Sequence, residues 1–215
     1  MTRLRLRSYH IMLLAPTTQG WLGYAKAVSP TNAGRLTYAE ATWTNLGVPA
    51  QGGAFYSPWF GIETSDNLNL FQPVNPWLGN SWAGYIEYFQ WQPENNINSA
   101  QGTVRPGDII YGNVSLAADG KSYDSYHSSS NGWSVRMNVP IQKKGKVGAL
   151  KEYSIVYFVF EKPAICQQYP PEQKVTFSDI RCVVATRAAL TRCVRARCCS
   201  THTFHALFAA LIGRE

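Results

Sequence analysis

The sequence has few charged residues, since Asp, Glu, Lys and Arg make up 15% of the chain against about a quarter in most globular proteins. It has no run approaching the roughly 18 apolar residues of a membrane-spanning helix, so we expect no membrane span. It also lacks a Gly-x-Ser-x-Gly elbow, a phosphate-binding loop, a dinucleotide fingerprint and a CxxC pair. We therefore expect neither a metal site nor a cofactor.

The net charge of +7 comes from the two ends of the chain. Residues 1–19 contain three arginines and no acid, and residues 181–215 contain six arginines and one acid. Residues 20–180 contain 11 basic and 12 acidic residues, which gives a net charge of −1 (11 − 12). A surface for nucleic acid is therefore not expected in this middle region.

The two ends also differ from the middle in composition. The apolar run Ile11–Ala15 is shorter than the roughly 7–15 residues of a secretory signal, so residues 1–19 are expected to be a disordered leader. Residues 183–215 are rich in Ala, Arg, Cys and Thr, contain no tryptophan and are expected to lie outside the domain. Short helices could form there, over Ala185–Arg197 and Phe204–Ile212. An appended amphipathic helix and a read-through terminus are equal alternatives.

Aromatic residues are abundant, at 13%, and 17 glycines and 12 prolines separate short segments that alternate in polarity. This pattern predicts an all-β domain over residues 20–182, an antiparallel two-sheet β-sandwich of concanavalin-like or jelly-roll-like type. The predicted strands are Gly20–Val28, Arg35–Thr44, Ser57–Glu63, Leu68–Val74, Ala83–Trp91, Ile109–Ala117, Lys121–His127, Trp133–Pro140, Glu152–Phe160 and Val175–Ile180.

The stretch 57–91 holds four of the seven tryptophans, and its strands carry large aromatics beside polar groups. This composition suits a concave sheet whose inner wall is a binding cleft, as well as a sheet packed on a core. Trp59, Tyr88 and Trp91 are accordingly either ligand-stacking or core residues. Gln72 is unusual because it follows an apolar run. His127 precedes a serine-rich turn and is expected to be a solvated loop residue.

Two cysteines, Cys166 and Cys182, lie near the last predicted strand. In an oxidising compartment they could form a disulfide that closes the last hairpin. Two unpaired thiols are the alternative.

Six segments, in order, resemble the motifs of the glutamic peptidases (eqolisins), acid endopeptidases with a two-sheet β-sandwich. The resemblance covers roughly residues 20–180, about three quarters of the chain. The segments are Gly20-Trp-Leu-Gly23, Tyr38–Trp43, Ser57-Pro-Trp-Phe-Gly-Ile-Glu63, Leu70-Phe-Gln-Pro73, Tyr88-Phe-Gln-Trp-Gln-Pro-Glu94 and Arg105-Pro-Gly-Asp-Ile-Ile110.

The resemblance implies a mechanism with two partners. A glutamate takes a proton from water and returns it to the leaving amine, and a glutamine positions the water and donates to the oxyanion. The glutamine role falls on Gln72. The glutamate falls in Ser154–Tyr157, at Val156, and valine cannot transfer a proton. Other residues implied to line the cleft are Trp59, Glu63, Tyr88 and Gln90, the last at a position where the family has an acid.

No other acid is expected to replace the missing glutamate. Glu152 shares the strand parity of Val156 but lies about 13 Å away along an extended strand. Glu161 and Glu87 have the opposite parity to the positions matched to the cleft, so both are expected to face away from it, Glu161 unless a β-bulge intervenes.

The sequence therefore predicts a glutamic-peptidase-like protein that binds extended peptides in a concave cleft, with endopeptidase activity lapsed or weak. A non-enzymatic, lectin-like module that binds carbohydrate or peptide is the alternative. The partner is expected to be a peptide or a glycan, and the chain a monomer. The resemblance implies an extracellular location, although no convincing signal peptide is present.

Overall fold

A computed structural model of the protein describes residues 2–12, 20–29, 34–49, 55–162, 171–172 and 174–185. These residues form antiparallel strands joined by turns and loops, with no helix among them. The strands are β1 (Thr2–Met12), β2 (Gly20–Val28), β3 (Arg35–Thr44), β4 (Phe55–Thr64), β5 (Asn69–Val74), β6 (Trp77–Leu78), β7 (Ala83–Gln90), β8 (Ile97–Asn98), β9 (Gly102–Thr103), β10 (Ile109–Leu116), β11 (Ser122–Ser129), β12 (Ser134–Pro140), β13 (Tyr153–Lys162) and β14 (Lys174–Ala185).

The strands assemble into two sheets. The six-stranded sheet has the order β1-β14-β3-β10-β11-β12, and the eight-stranded sheet contains the path β2-β13-β4-β5-β7-β8, with β6 beside β4 and β9 beside β7. Strand pairs that are far apart in sequence, such as β2 with β13, hold the ends of the domain together. The predicted antiparallel two-sheet sandwich is therefore confirmed.

The main core lies between the two sheets and is built from aromatic rings. Trp43 of the six-stranded sheet packs edge-on against Phe60 of the eight-stranded sheet, with ring centroids 6.2 Å apart. Phe158 and Phe177 make a second contact of this kind at 5.5 Å. Each of these rings is at most 2% exposed, so the strand faces that carry them are the inner faces of the sandwich.

A second apolar cluster lies on the opposite face of the eight-stranded sheet. Its members alternate in sequence with residues of the main core, because neighbouring strand residues point to opposite faces. They are Trp59, Leu70, Val74, Ile155, Tyr157 and Val159. We call the face that carries them the outer face.

The sandwich extends further at both ends than the sequence indicated. Residues 2–12, expected to be part of a disordered leader, form β1 and pair with β14 from Thr2↔Val184 to Met12↔Lys174. Val183 and Val184, expected to belong to the tail, are buried in β14. The helices expected near the C-terminus lie in residues 186–215, outside the described part of the chain apart from Ala185. Within the described ranges no helix is long and apolar enough to cross a membrane.

Two other expectations concern single side chains. His127 is not a solvated loop residue, because the inward alternation of β11 buries it completely. Its ring stacks on Trp43 at 5.7 Å, and Nδ1 lies 3.1 Å from the carbonyl oxygen of Tyr111. Cys182 is buried in the main core. Cys166 lies outside the described residues, so both alternatives for this pair stay predictions.

Candidate functional site

One row of paired residues crosses the outer face of the eight-stranded sheet. Backbone pairing aligns Lys26 of β2 with Tyr157 of β13, and Tyr157 with Gly61 of β4. Gly61 lies against Gln72 of β5, which is paired with Glu87 of β7. Directly paired residues project to the same face. We call these five residues the central row.

Gln72 is the buried polar centre of this row, with 5% of its surface exposed. Its Nε2 donates a hydrogen bond of 2.6 Å to Oε2 of Glu87. Its Oε1 is buried and accepts no hydrogen bond. A buried acceptor without a partner is uncommon in folded proteins and marks a place where a ligand or water donates.

Gly61 places no side chain in the central row between Tyr157 and Gln72, and we call this position the opening. A Cβ placed on it would lie 2.8 Å from Cβ of Gln72 and 2.9 Å from the carbonyl oxygen of Phe71. The first distance is shorter than the contact distance of about 3.5–4.0 Å between carbon atoms. Both are shorter than the distances that Cβ atoms keep from neighbouring heavy atoms in real proteins. The opening spans two strand separations, or about 10 Å between the backbones of β13 and β5.

Replacing Gly61 by alanine should therefore close the opening and displace Gln72. We expect the free energy of unfolding to fall by about 1–3 kcal/mol, as for other additions to a packed interior. Urea unfolding measures this change. In the double variant Gly61→Ala/Gln72→Gly the opposing Cβ is absent, so part of the loss should be recovered as a coupling energy. If the two losses simply add, the contact with Gln72 is not what requires glycine.

Tyr157 stands across the opening from Gln72, but its hydroxyl is engaged elsewhere. It hydrogen-bonds to Glu63, which also accepts a hydrogen bond from Nδ2 of Asn67. Nζ of Lys26 lies 5.2 Å from the centroid of the Tyr157 ring. Burial is the largest cause that raises the pKa of Tyr157, and the charge of Glu63 raises it further. The phenol is thus neutral in the physiological range.

Two more carboxylates occupy the outer face, and both are only partly exposed. Glu161 accepts a hydrogen bond of 2.8 Å from Nε1 of Trp59. Burial raises the pKa of Glu161, and the negative charge of Glu87 raises it further. Burial also raises the pKa of Glu87, while the hydrogen bond from Gln72 lowers it. Tyr85 senses both charges, which add to the effect of burial in raising its pKa.

The expectation that Glu87 and Glu161 face away from this site is therefore wrong. Glu87 contacts Gln72 directly, and Glu161 shares the face of Trp59. For Glu161 the error follows from Val156, which was taken as a cleft position, and for Glu87 it follows from Tyr88 and Gln90, which were taken as the cleft-facing pair. Val156 is 1% exposed and lies in the main core between the sheets. The side chains of its two neighbours in sequence therefore project to the outer face.

Tyr88 and Gln90, expected in the cleft, lie on the inner face instead. The hydroxyl of Tyr88 donates to Oε1 of Gln90 at 2.7 Å and accepts from Nδ2 of Asn69 at 2.7 Å. Nζ of Lys151 donates to Oδ1 of Asn69 at 2.6 Å. These residues form an internal network whose members satisfy one another. Trp59 and Glu63 do lie on the outer face beside the central row.

A metal ion has no evident place in this site. Within the part of the chain that the structure describes, no three His, Cys, Asp or Glu side chains come together in a way that could hold one. The site's polar groups are instead an amide, a phenol and three carboxylates, those of Glu63, Glu87 and Glu161. Such groups suit hydrogen bonding and proton transfer.

Solved structures of other proteins share this architecture, although no protein-family model and no curated protein sequence matches the chain. Scytalido-glutamic peptidase, solved with a transition-state analogue inhibitor, superimposes with a TM-score of 0.57 at 16% identity, over 84% of this chain and 87% of that one. The chain has a glutamic peptidase-like fold. SCP-B, an eqolisin in complex with the tripeptide Ala-Ile-His, gives a TM-score of 0.51 at 15% identity, over 80% and 81% of the two chains.

The fold is also shared outside the peptidases. An alginate lyase from Klebsiella pneumoniae superimposes with a TM-score of 0.51 at 11% identity, over 71% of this chain and 61% of that one. At such identities a likeness shows the fold alone. What the site can do chemically is therefore inferred from the residues of this chain.

Sequence reasoning identified Gln72, Trp59 and Glu63 but missed Gly61, Tyr157, Glu87 and Glu161 as residues of the same face. A usable signal existed for Gly61, which alternates with Trp59 and Glu63 in a single strand. Glu87 could have been placed on this face only from its pairing with Gln72. The register of that pairing depends on the length of the connection through β6, which the sequence does not fix.

Proposed function

We propose that this protein binds extended peptides on the outer face of the eight-stranded sheet and has lost most or all acid endopeptidase activity. The observation that carries the proposal is the central row itself. Across the opening from Gln72 stands the phenol of Tyr157, where a mechanism with a glutamine and a general base needs a group that ionises in acid.

Glu87 is a poor substitute for that base in its present position. A base and an amide that activate water together must both contact the water molecule. Oε2 of Glu87 instead contacts Nε2 of Gln72 at 2.6 Å, so no water lies between them. Because Glu87 is adjacent to Gln72 on the next strand, it also lies on the opposite side from the opening.

Peptide binding is supported by the polar groups that the face offers. Oε1 of Gln72 and Oγ of Ser57 are buried and have no hydrogen-bond partner. Backbone N–H groups of an extended chain are the donors that a peptide ligand supplies at regular intervals. Half-buried aromatic rings, those of Tyr24, Tyr85 and Phe89, pack against the apolar cluster of the same face and suit apolar side chains.

The activity can be tested by digestion of denatured casein between mild and strong acid. We expect the native protein to show no cleavage above background. Tyr157→Glu should gain cleavage, since general acid–base catalysis contributes about 10²–10⁴-fold. Tyr157→Gln is the matched control, because glutamine has the same length and cannot transfer the proton.

One result would overturn the proposal that activity is lost. If the native protein cleaves casein and Gln72→Ala abolishes this, an acid other than residue 157 is the base. Glu87→Gln and Glu161→Gln would then identify it. Peptide binding is tested separately, by retention of peptic casein peptides on the immobilised native protein and on Gln72→Ala, which should retain fewer.

A second candidate function, carbohydrate binding without catalysis, is favoured by one observation. Trp91 is 42% exposed and its ring lies 4.5 Å from that of Phe89, at the end of β7. Exposed aromatic pairs of this kind stack on sugar rings as well as on apolar side chains. Retention of soluble glycans by the native protein, lost in Trp91→Ala while peptide retention persists, would favour this function.

A further inference from the structure

The hydrogen bond between Gln72 and Glu87 fixes which end of the Gln72 amide faces its surroundings. An ionised carboxylate accepts hydrogen bonds and donates none, so the amide must turn its nitrogen toward Glu87. The oxygen, Oε1, is therefore directed away from Glu87. It is buried and has no donor of its own.

A protonated Glu87 would reverse this requirement. A carboxylic acid has one O–H donor. That donor would meet Oε1 of Gln72 if the amide turned about its Cγ–Cδ bond, and the turn would direct Nε2 away from Glu87. The only chemical change is the transfer of a proton from a hydronium ion of the solvent to the Glu87 carboxylate, which forms one O–H bond and breaks another.

We propose that Glu87 is a positioning residue that sets the hydrogen-bonding polarity of the site. With Glu87 ionised, Gln72 presents an acceptor that selects N–H or O–H donors of the ligand. With Glu87 protonated, Gln72 presents N–H donors that select carbonyl oxygens. Because the selected group belongs to the ligand, this inference rests on the proposed function of the outer face.

The surroundings of Glu87 favour protonation in mild acid. Glu161 of β13 adds a second negative charge on the same face, and Tyr85 of β7 is neutral. Asn98 of β8, the other residue paired with Glu87, carries no charge. The one cation of the central row, Lys26, lies at its far end beside Tyr157. Burial raises the pKa of Glu87, and only the Gln72 hydrogen bond opposes this.

NMR of the full chain, with ¹⁵N in the glutamine side chains and ¹³C in the glutamate carboxyl groups, tests the proposal without any ligand. The Gln72 amide signals, assigned by their loss in Gln72→Ala, should shift with the same midpoint as the Glu87 carboxyl signal. That midpoint should lie above the ordinary value of about 4.3. In Glu87→Gln, which keeps the side-chain length, the Gln72 signals should be independent of pH.

A second variant, Gln72→Ala, tests in which direction Gln72 shifts the titration midpoint of Glu87. Gln72→Ala removes a donor to the ionised carboxylate, so the titration midpoint of Glu87 should move upward. A merely structural role for Glu87 would leave the Gln72 signals unchanged through the titration, and that result would overturn the proposal. If Glu87→Gln failed to fold, two other measurements would still test the proposal. These are the agreement between the Gln72 and Glu87 titration midpoints in the native protein and the shift of the Glu87 midpoint in Gln72→Ala. Failure to retain peptides would contradict the proposed function and leave these NMR results intact.

Discussion

Replacing His127 by asparagine should reduce the loss of stability in acid by about 3 kcal/mol between pH 6.5 and 4. Burial lowers the pKa of His127 from 6.5 to about 4, while its hydrogen bond to the Tyr111 carbonyl acts in the opposite direction. A difference of 2.5 units (6.5 − 4) at about 1.36 kcal/mol each gives this magnitude. The side chain is completely buried, so solvent does not screen the effect.

The direction of this stability change follows from whether the folded or the unfolded protein protonates His127 at the higher pH. Above pH 6.5 the imidazole is neutral in both states and makes no pH-dependent contribution. As the pH falls below 6.5 the unfolded chain binds a proton that the folded protein refuses, so stability is lost until the folded pKa near 4 is reached. Asparagine can still donate to the Tyr111 carbonyl but does not titrate.

Urea unfolding at several pH values gives the free energy of unfolding of the native protein and of His127→Asn, and the difference between the two measures the effect of His127.

Three buried or partly buried carboxyl groups, those of Glu63, Glu87 and Glu161, change the stability with pH in the opposite direction. Because burial raises their pKa values, they favour the folded state in acid, and that contribution is lost as the pH rises through the folded pKa. Their contributions are common to both proteins and cancel. If the free energies of unfolding of the native protein and of His127→Asn changed with pH in parallel, the effect could not be assigned to His127.

Glutamate should be far more destabilising at position 156 than at position 157. Val156 is 1% exposed and lies among the rings between the two sheets, where a carboxylate finds no partner. An uncompensated buried charge costs about 3–5 kcal/mol. Tyr157 lies on the outer face within reach of Lys26. Tyr157→Glu therefore loses ring packing and meets the carboxylate of Glu63, but the nearby cation offsets part of this cost.

The free energies of unfolding of Val156→Glu and Tyr157→Glu, measured side by side in urea, test this directly. We expect Val156→Glu to be the less stable by several kcal/mol, or not to fold at all. Val156→Met, a change of size without charge, is the control for the core position. A soluble, stable Val156→Glu protein that cleaves casein would show that the strand faces have been assigned the wrong way round.

Most strands could be predicted because polarity alternates within them and glycine or proline separates them. Gly20–Val28 and Arg35–Thr44 are identical to β2 and β3. The N-terminal strand was missed although Arg3, Arg5 and Arg7 alternate with apolar residues in it. It was taken as part of a disordered leader because the apolar run that follows is short, but its pairing with β14 makes it a strand.

The faces of β13 could not be predicted because both are apolar. Eight consecutive residues, Tyr153–Phe160, are buried, so no alternation distinguishes the inner side from the outer side. A shift of one residue in such a strand turns every side chain over. Glu161 was assigned to the wrong side for this reason, since its parity was compared with that of Val156. His127 was misjudged because Trp43, on which its ring stacks, is distant in sequence.

The strand order constrains how the chain can reach this fold. The last two strands, β13 and β14, lie inside their sheets, between β2 and β4 and between β1 and β3. The eight-stranded sheet cannot be completed until β13, which ends at Lys162, is available, and the six-stranded sheet cannot be completed until β14, which ends at Ala185, is available. The pairs β2–β13 and β1–β14 join strands from opposite ends of the described chain. Such a high contact order is typical of domains that fold in milliseconds to seconds. A chain still growing on the ribosome would thus expose the unpaired edges of β3 and β4, and exposed strand edges of this kind are prone to pair with other chains.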